Sequence, residues 1–287
     1  MQHSNRTNMM FFMVPALLLL TITSLYPVVY GFSLSFYDWN WGTQKNFIGL
    51  ENYVNLLSSS EFWNSLFNTV RFAVSACIVE ISLGFYLASQ VDKLKINTNV
   101  IQALLMTPLM MSGIVVALLS KTMFDPFSGI FNYFITEFGY SPSAFFGAEE
   151  SAMFTVILVD IWWQTAFVFI IALAGLKSLP EEPINAARLE GASSLRIFWN
   201  IKIPMLKPLI TTLVLIRSID TLKIFDIVFG TTGGGPGDTT EVVQTLAYRT
   251  AYGYLQIGKA MTIMVLFSLL IVAISMIYQR VSNEESS

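Results

Sequence analysis

The segment Leu179–Pro204, LPEEPINAARLEGASSLRIFWNIKIP, is the most polar long interruption between two strongly apolar stretches of this sequence. Its pattern predicts one short helix over 182–189, a break at Gly191, a second short helix over 194–200 and a stop at Pro204. Six charged side chains keep it out of hydrocarbon: Glu181, Glu182, Arg188, Glu190, Arg196 and Lys202. The segment is either an ordinary interhelical loop or a folded contact for a partner outside the bilayer.

Composition indicates that most of the chain lies in lipid. Its 287 residues are 54% hydrophobic and 12% charged, with a mean hydropathy of +0.60, whereas a soluble domain carries about 25% charged residues. The net charge is −3, and the lysines and arginines form no block, which argues against a nucleic-acid partner. The single cysteine, Cys77, excludes an intramolecular disulfide and a cysteine metal cluster. The single histidine, His3, lies in a polar tail, which argues against a histidine-based catalytic triad.

Long apolar runs predict an all-α membrane protein with six transmembrane helices in a single domain, residues 1–287. The predicted spans are about 10–33, 66–90, 96–120 (broken by Pro108), 151–176, 207–229 and 260–279. The first run is too long for a signal-peptide core, so it is interpreted as an uncleaved span.

Charge distribution predicts the orientation of these spans. Six spans put both termini on one side, and that side would carry nine of the sixteen Lys and Arg residues against four on the other. The positive-inside rule therefore predicts that both termini and the 179–204 segment are cytoplasmic.

Four charges in the fifth predicted span recur every three residues: Arg217, Asp220, Lys223 and Asp226. On a helix, adjacent pairs of opposite sign at this spacing can make contact. Charges inside a membrane normally face a bundle interior or a wet cavity. The pattern therefore indicates a polar translocation path, structural ion pairing, or both.

The fourth predicted span carries Asp160, Trp163 and Gln164 on one helix face, with Trp162 beside them. A carboxylate and an amide can hydrogen-bond sugar hydroxyls while an indole stacks on the apolar ring face. The alternative is a tryptophan packed between helices, with Asp160 bonded to a neighbour. Glu80, in the second predicted span, is a further candidate for the substrate path.

Residues Gly253–Lys259 fit the first seven positions of a phosphate-binding loop, but Ala260 stands where Ser or Thr should hold magnesium. No strand is predicted before the match, and a membrane span follows it. We interpret it as a chance match and do not expect this chain to hydrolyse ATP.

Several motifs resemble the permeases of ATP-binding-cassette (ABC) importers. The family's "EAA" motif is similar to Asn185-Ala186-Ala187, Glu190-Gly191-Ala192, Phe198, Ile201, Ile203-Pro204 and Pro208. Asn185 replaces the motif's leading Glu, and Ile203 replaces its usual Leu. Phe47-Ile48-Gly49, Asn52-Tyr53 and Gly234-Gly235-Pro236 resemble the carbohydrate-uptake branch of the family.

The resemblance implies the type I importer permease fold and alternating access for a sugar or related polyol. It implies four kinds of partner: a second, similar permease, a dimer of cytoplasmic ATPases that hold ATP and magnesium, an extracytoplasmic solute-binding protein, and the lipid of a bacterial cytoplasmic (inner) membrane. No cofactor is expected in this chain itself. The ATPase-coupling residues would be Asn185, Ala186, Ala187, Arg188, Glu190, Gly191, Ala192 and Pro204, with Gly191 ending the first short helix in the left-handed conformation.

Two other classes of protein are weighed against this interpretation. An ion-coupled secondary transporter would use Asp160, Glu80 or the fifth-span charges as ion sites, and such proteins commonly show inverted repeats. No convincing repeat relates residues 1–120 to 150–280. An intramembrane hydrolase would need a catalytic constellation that a single tail histidine does not supply.

Overall fold

The computed structural model describes residues 13–94 and 96–284, and these residues are almost entirely helical. His3 and residues 10–12 of the first predicted span lie outside the described residues. In chain order the elements are α1 (Met13–Leu34, with a π-helical turn at Thr21–Leu25), β1 (Tyr37–Asp38), β2 (Asn46–Phe47), α2 (Glu51–Leu57), α3 (Ser60–Asp92), α4 (Asn99–Met106), α5 (Gly113–Met123), α6 (Ile130–Glu137), α7 (Glu149–Ser178), α8 (Glu181–Leu189), α9 (Ser194–Ile197), α10 (Ile203–Met205), α11 (Lys207–Leu222), α12 (Asp226–Thr231), α13 (Val243–Tyr248) and α14 (Ile257–Glu284).

Four of the described helices, α1, α3, α7 and α14, are long and apolar enough to cross a membrane. The count rises to five if α4 and α5 form one broken span. The axis of this pair bends by 96°, and Pro108 lies in the 3₁₀ turn Thr107–Met110 that precedes the bend. A proline removes a backbone donor and disrupts a regular helix. The predicted break at Pro108 is therefore seen as a sharp bend between α4 and α5.

The prediction of one continuous helix over 207–229 is wrong. Helix α11 ends at Leu222, and the chain leaves helical geometry at Phe225 (φ −139°) before α12 begins. With sixteen residues α11 is about 24 Å long, which is shorter than the ~30 Å hydrocarbon core. A continuous helix would have spread its four charges over half its circumference, whereas the break lets all four line one cavity.

The predicted stop at Pro204 is also wrong. The chain continues from α9 through a π-helical turn, Phe198–Lys202, into α10, and the next helix break is at Leu206. Pro204 directly follows the π-helical turn and lies in the first turn of α10.

The chain divides into two compact units, of which the first comprises residues of 1–63 and 246–270. Its β1–β2 pair is antiparallel, with Tyr37 opposite Phe47. The Asn52 amide donates to the carbonyls of Ser35 and Tyr37, each at 3.0 Å. A Cβ at Gly258 would collide with the Tyr37 carbonyl oxygen, so close packing explains the last glycine of the phosphate-loop-like stretch.

The second unit comprises residues of 64–245 and 271–287, and its core surrounds α7. One cluster joins α3, α5, α7 and α12 through Phe72, Val116, Val156 and Ile227. A second joins α3, α7 and α11 through Phe85, Phe169 and Leu213. Gly84 of α3 permits a close approach to α7, since a Cβ there would lie 2.5 Å from Val168. Small residues at helix contacts are typical of membrane proteins.

Candidate functional site

A polar cavity of about 250 Å³ opens beside the break between α11 and α12. Its walls include seven of the nine residues predicted for the substrate path: Asp160, Trp163, Gln164, Arg217, Asp220, Lys223 and Asp226. Helix α7 supplies the first three, and the broken segment supplies the other four. The structure therefore brings two separately predicted polar faces together around one space.

Arg217 is the centre of a buried ion network on the cavity wall. Its guanidinium group binds Glu80 of α3, with Nη2 at 2.6 Å and Nε at 2.8 Å from the same carboxylate oxygen, Oε2. Nη2 also lies 3.6 Å from Asp160 Oδ2, and Nη1 donates to Gln164 Oε1 at 3.2 Å. The side chains of Arg217, Glu80 and Asp160 are at most 3% exposed. Glu80 thus lies behind the cavity wall and holds Arg217 in place.

Two polar groups of the lining residues are buried. Trp163 Nε1 has no hydrogen-bond partner among the described residues. Asp160 Oδ2 lies 3.6 Å from Arg217 Nη2, and the Asp160 carboxyl group lies within hydrogen-bond reach of the Glu80 carboxyl group. Buried polar atoms are normally satisfied, so the Trp163 N–H is the unpaired donor of this wall.

The rim of the cavity is more open and carries both charge signs. Asp220 lies 3.9 Å from both Arg217 and Lys223, so the contacts expected from the three-residue spacing occur at these two steps. The Asp220 and Lys223 side chains are about half exposed, and Asp226 is exposed at the start of α12. The exposed Asp220–Lys223 pair, at this distance, contributes little to stability.

Trp162 does not join this cavity. It is 46% exposed and lines a separate apolar pocket with Leu87, Leu104 and Phe169. A helix turns about 100° per residue, so neighbouring tryptophans project in different directions, and only Trp163 faces the polar cavity.

Sequence reasoning missed other residues of the cavity. Thr221, Ile224 and Phe225 line it because the helix break turns this stretch toward the space. Gly113, at the start of α5, permits close approach, since a Cβ there would lie 2.6 Å from Asp226 and 3.0 Å from Trp163. Thr221 could have been found from its position four residues after Arg217, but the contact of Gly113 depends on the bend between α4 and α5.

The segment 179–204 is folded by local capping. Helix α8 ends in a Schellman motif: Gly191 has φ +82°, its N–H donates to Arg188 at 3.1 Å, and the N–H of Ala192 donates to Ala187 at 2.9 Å. The Ser193 hydroxyl then caps α9 by accepting from the Arg196 N–H at 3.3 Å. Left-handed geometry was expected at Gly191, and its φ value confirms it.

Most of the predicted coupling residues lie at the surface of this segment. Asn185, Ala186, Arg188, Glu190, Gly191 and Pro204 are exposed, and Ala187 and Ala192 are half-buried. The Asn185 side chain accepts a hydrogen bond from Arg188 at 3.0 Å. Leu189 and Leu195 are 90% and 69% exposed. The segment thus presents small and apolar groups beside charged ones, as a protein contact surface does.

The inner side of the segment is attached to the helices beneath it. Ile184 and Ile197 are buried. Lys202 Nζ lies 2.6 Å from Asp92 Oδ2, and both side chains are less than a fifth exposed. This ion pair, which the sequence did not predict, links the segment to the end of α3.

The fold matches that of a solved transport protein. A chain of the bacterial ABC transporter "involved in the import of the acidic polysaccharide alginate" superimposes with a TM-score of 0.88 at 20% identity, covering 100% of this chain and 99% of that one. The chain therefore has the all-α membrane fold of a type I ABC importer permease.

Residues 80–285 match the family described as "Binding-protein-dependent transport system inner membrane component", and the chain belongs to that family. The trehalose/maltose transport system permease protein MalF of Thermococcus litoralis is 32% identical over 271 residues, which is 94% of this chain and 92% of the relative. The osmoprotective compounds uptake permease protein GgtC of Synechocystis is 32% identical over 269 residues, covering 92% of this chain and 94% of the relative.

The chain is therefore a multi-pass, non-catalytic permease subunit of a binding-protein-dependent ABC importer in the inner membrane. In this family the ATPases are separate subunits, as expected for a chain whose phosphate-loop-like stretch lacks the magnesium-binding hydroxyl. Family membership also removes the support for the ion-coupled and hydrolytic alternatives.

Proposed function

We propose that this permease forms half of the translocation path for a sugar or related polyol, and that residues 179–204 couple the path to a dimer of cytoplasmic ATPases. The second half would come from another, similar permease, and an extracytoplasmic binding protein would deliver the solute. In this arrangement six spans cross the membrane, with α11 and α12 as one broken span and both termini cytoplasmic.

Support for a neutral, hydroxyl-rich solute comes from the chemistry of the polar cavity. Trp163 offers an apolar plate with an indole N–H, and Asp160 and Gln164 offer oxygen atoms within the same wall. Apolar surfaces with a few placed polar groups are typical of small-molecule sites. The names of the relatives point the same way, since MalF serves trehalose and maltose and GgtC serves osmoprotective compounds.

The coupling proposal rests on the two faces of the 179–204 segment, one exposed to solvent and one bonded to the helices beneath it. Its outer face is exposed and partly apolar, while its inner face is joined to α3 through Lys202 and continues directly into α11. A force applied at α8 would reach the cavity, because α11 carries Arg217 and Asp220. ATP-driven closure of the ATPases would move the segment and open the cavity outward, and hydrolysis would reset it.

Gly191→Val tests the coupling proposal. A side chain is strained at φ +82°, by about 1–2 kcal/mol, so the end of α8 should shift while the subunit still inserts. In the reconstituted importer we expect ATP hydrolysis to continue with a several-fold loss of solute moved per ATP.

The matched control is Gly139→Val. Gly139 has φ +83°, and like Gly191 it has no atom within 4 Å of an added Cβ, but it follows α6 and lies outside the segment. Normal solute transport per ATP in Gly191→Val, or an equal loss in both variants, would contradict coupling through this segment.

A further inference from the structure

A second cavity, of about 710 Å³, runs along the last turns of α3 beside the segment 194–210. Ile81, Phe85, Phe198 and Ile210 form apolar walls, and Lys93 and Ser194 also line the groove. We call it the α3 groove. It is separate from the polar cavity, and one of its walls belongs to the 179–204 segment, through residues that include Leu195 and Phe198.

The groove has the length of one membrane leaflet. From Ile81 to Lys93 the chain rises about 18 Å if followed as helix, and half of a ~30 Å hydrocarbon core is about 15 Å. Asp92, bound to Lys202, fixes the Lys93 end at the level of the 179–204 segment. Trp199, another lining residue, is 59% exposed, and tryptophan favours the headgroup level of a membrane.

The walls of the groove are mostly apolar, with Ile81, Phe85 and Ile210 facing the space. A single extended hydrocarbon chain needs no hydrogen-bond partners, so these walls suit it.

The positive charge of Lys93, at one end of the groove, favours an anionic ligand. The neighbouring carboxylate, Asp92, is taken by Lys202 at 2.6 Å. Among the described residues no carboxylate forms an ion pair with Lys93, which is exposed at the mouth of the groove. A lysine near a membrane surface attracts anionic lipid with about 1 kcal/mol.

We propose that the α3 groove binds one acyl chain of an anionic phospholipid, with Lys93 contacting its phosphate-bearing headgroup. Under the proposed topology this lipid belongs to the cytoplasmic leaflet. It would contact both α3 and the segment that follows α9, and would support the coupling segment from its membrane side.

The test measures lipid retained by the purified, complete importer. Native mass spectrometry with added phosphatidylglycerol or phosphatidylcholine should show one extra phosphatidylglycerol per copy of this chain and less phosphatidylcholine. Lys93→Gln should weaken phosphatidylglycerol binding about fivefold. Ser82→Trp, which fills the groove, should reduce retention of both lipids. Lys177→Gln removes an exposed lysine from the last turn of α7, outside the groove, and should change nothing.

A photo-crosslinking residue at Ser82 keeps the test decisive if Ser82→Trp fails to fold. Attachment to lipid supports the proposal, and attachment to the second permease overturns it. Equal retention of the two lipids by the unchanged chain, or equal effects of Lys93→Gln and Lys177→Gln, would also overturn it. Because these readouts do not depend on transport, a failure here is distinguishable from a failure of the coupling proposal.

Discussion

At the scale of single residues, Arg217 links three helices through charge. It binds Glu80 of α3 at 2.6 Å, lies 3.6 Å from Asp160 of α7, and is itself part of α11. Burying charges is costly, and the cost is offset only when partners and hydrogen bonds are well placed. Two buried carboxylates share this one guanidinium group, so the network depends on Arg217 more than on either acid.

Arg217→Gln should therefore destabilise the subunit by about 3–5 kcal/mol, because it leaves two buried carboxylates without a cation. The apparent Tm of the purified importer and its resistance to protease would report the loss. Adding Glu80→Gln to this variant should recover part of the stability, since it removes one of the two buried carboxyl groups that have lost their shared partner.

Lys223→Gln is the control for this change. Its ion pair with Asp220 spans 3.9 Å and is about half exposed, so the loss should stay within about 0–1 kcal/mol. A similar drop in Tm for Arg217→Gln and Lys223→Gln would show that the buried network does not hold the helices together.

Trp163 and Trp162 form a natural pair for testing the sugar path. Trp163 lines the polar cavity, whereas Trp162 lines an apolar pocket elsewhere. Trp163→Ala should raise the KM for solute uptake about tenfold, equivalent to about 1.4 kcal/mol of binding free energy, through the lost stacking plate and N–H. Trp162→Ala should leave KM within about twofold. If instead Trp162→Ala has the larger effect on KM, the solute does not use this cavity.

At the scale of elements, the sequence patterns predicted the positions of polar surfaces more accurately than the ends of helices. The charges at 217, 220, 223 and 226 predicted a polar face, and all four line the cavity. The prediction of a continuous helix through these four residues was wrong. Helix propensity is a local property of the sequence, whereas the break places all four charged side chains around one cavity. Periodicity likewise predicted helix at 194–200 but could not reveal that the chain stays helical past Pro204.

Contacts distant in sequence were beyond prediction for a different reason. The pairs Arg217–Glu80 and Lys202–Asp92 join residues more than a hundred positions apart. A single sequence shows which residues are charged but not which charged residues form ion pairs in the fold. Gly191 was predictable because its left-handed conformation is a local requirement of the helix end.

The Lys202–Asp92 pair yields a prediction about the coupling element. Reversing either charge, by Asp92→Lys or Lys202→Asp, places like charges about 3 Å apart in a largely buried site. The segment should then separate from α3, and solute moved per ATP should fall several-fold. The double reversal should restore most of the coupling, since it rebuilds the pair with opposite orientation. Failure of the double variant to recover, with both single variants impaired, would show that the two residues act independently.

At the scale of the whole molecule, the number of membrane crossings depends on the segment from α11 to α12. The described residues contain four helices that qualify alone and a bent pair that could be a fifth span. The segment from α11 to α12 is too short and too interrupted to qualify by length, yet it lies between residues that the charge distribution assigns to opposite sides. Breaks inside a membrane are tolerated where they line a polar cavity, and this break does so.

Cysteine labelling can decide whether α11 and α12 together cross the membrane. The native Cys77 is buried, so an impermeant maleimide should give little background. Glu190→Cys precedes the broken span and Tyr254→Cys follows it, and both positions are exposed. With six spans, residue 254 should react in intact cells and residue 190 only after permeabilisation. Ser141→Cys, in the loop before α7, serves as an outside reference. If residues 190 and 254 react under the same condition, the broken segment is a re-entrant loop, and the cavity beside it opens to one side through a different route.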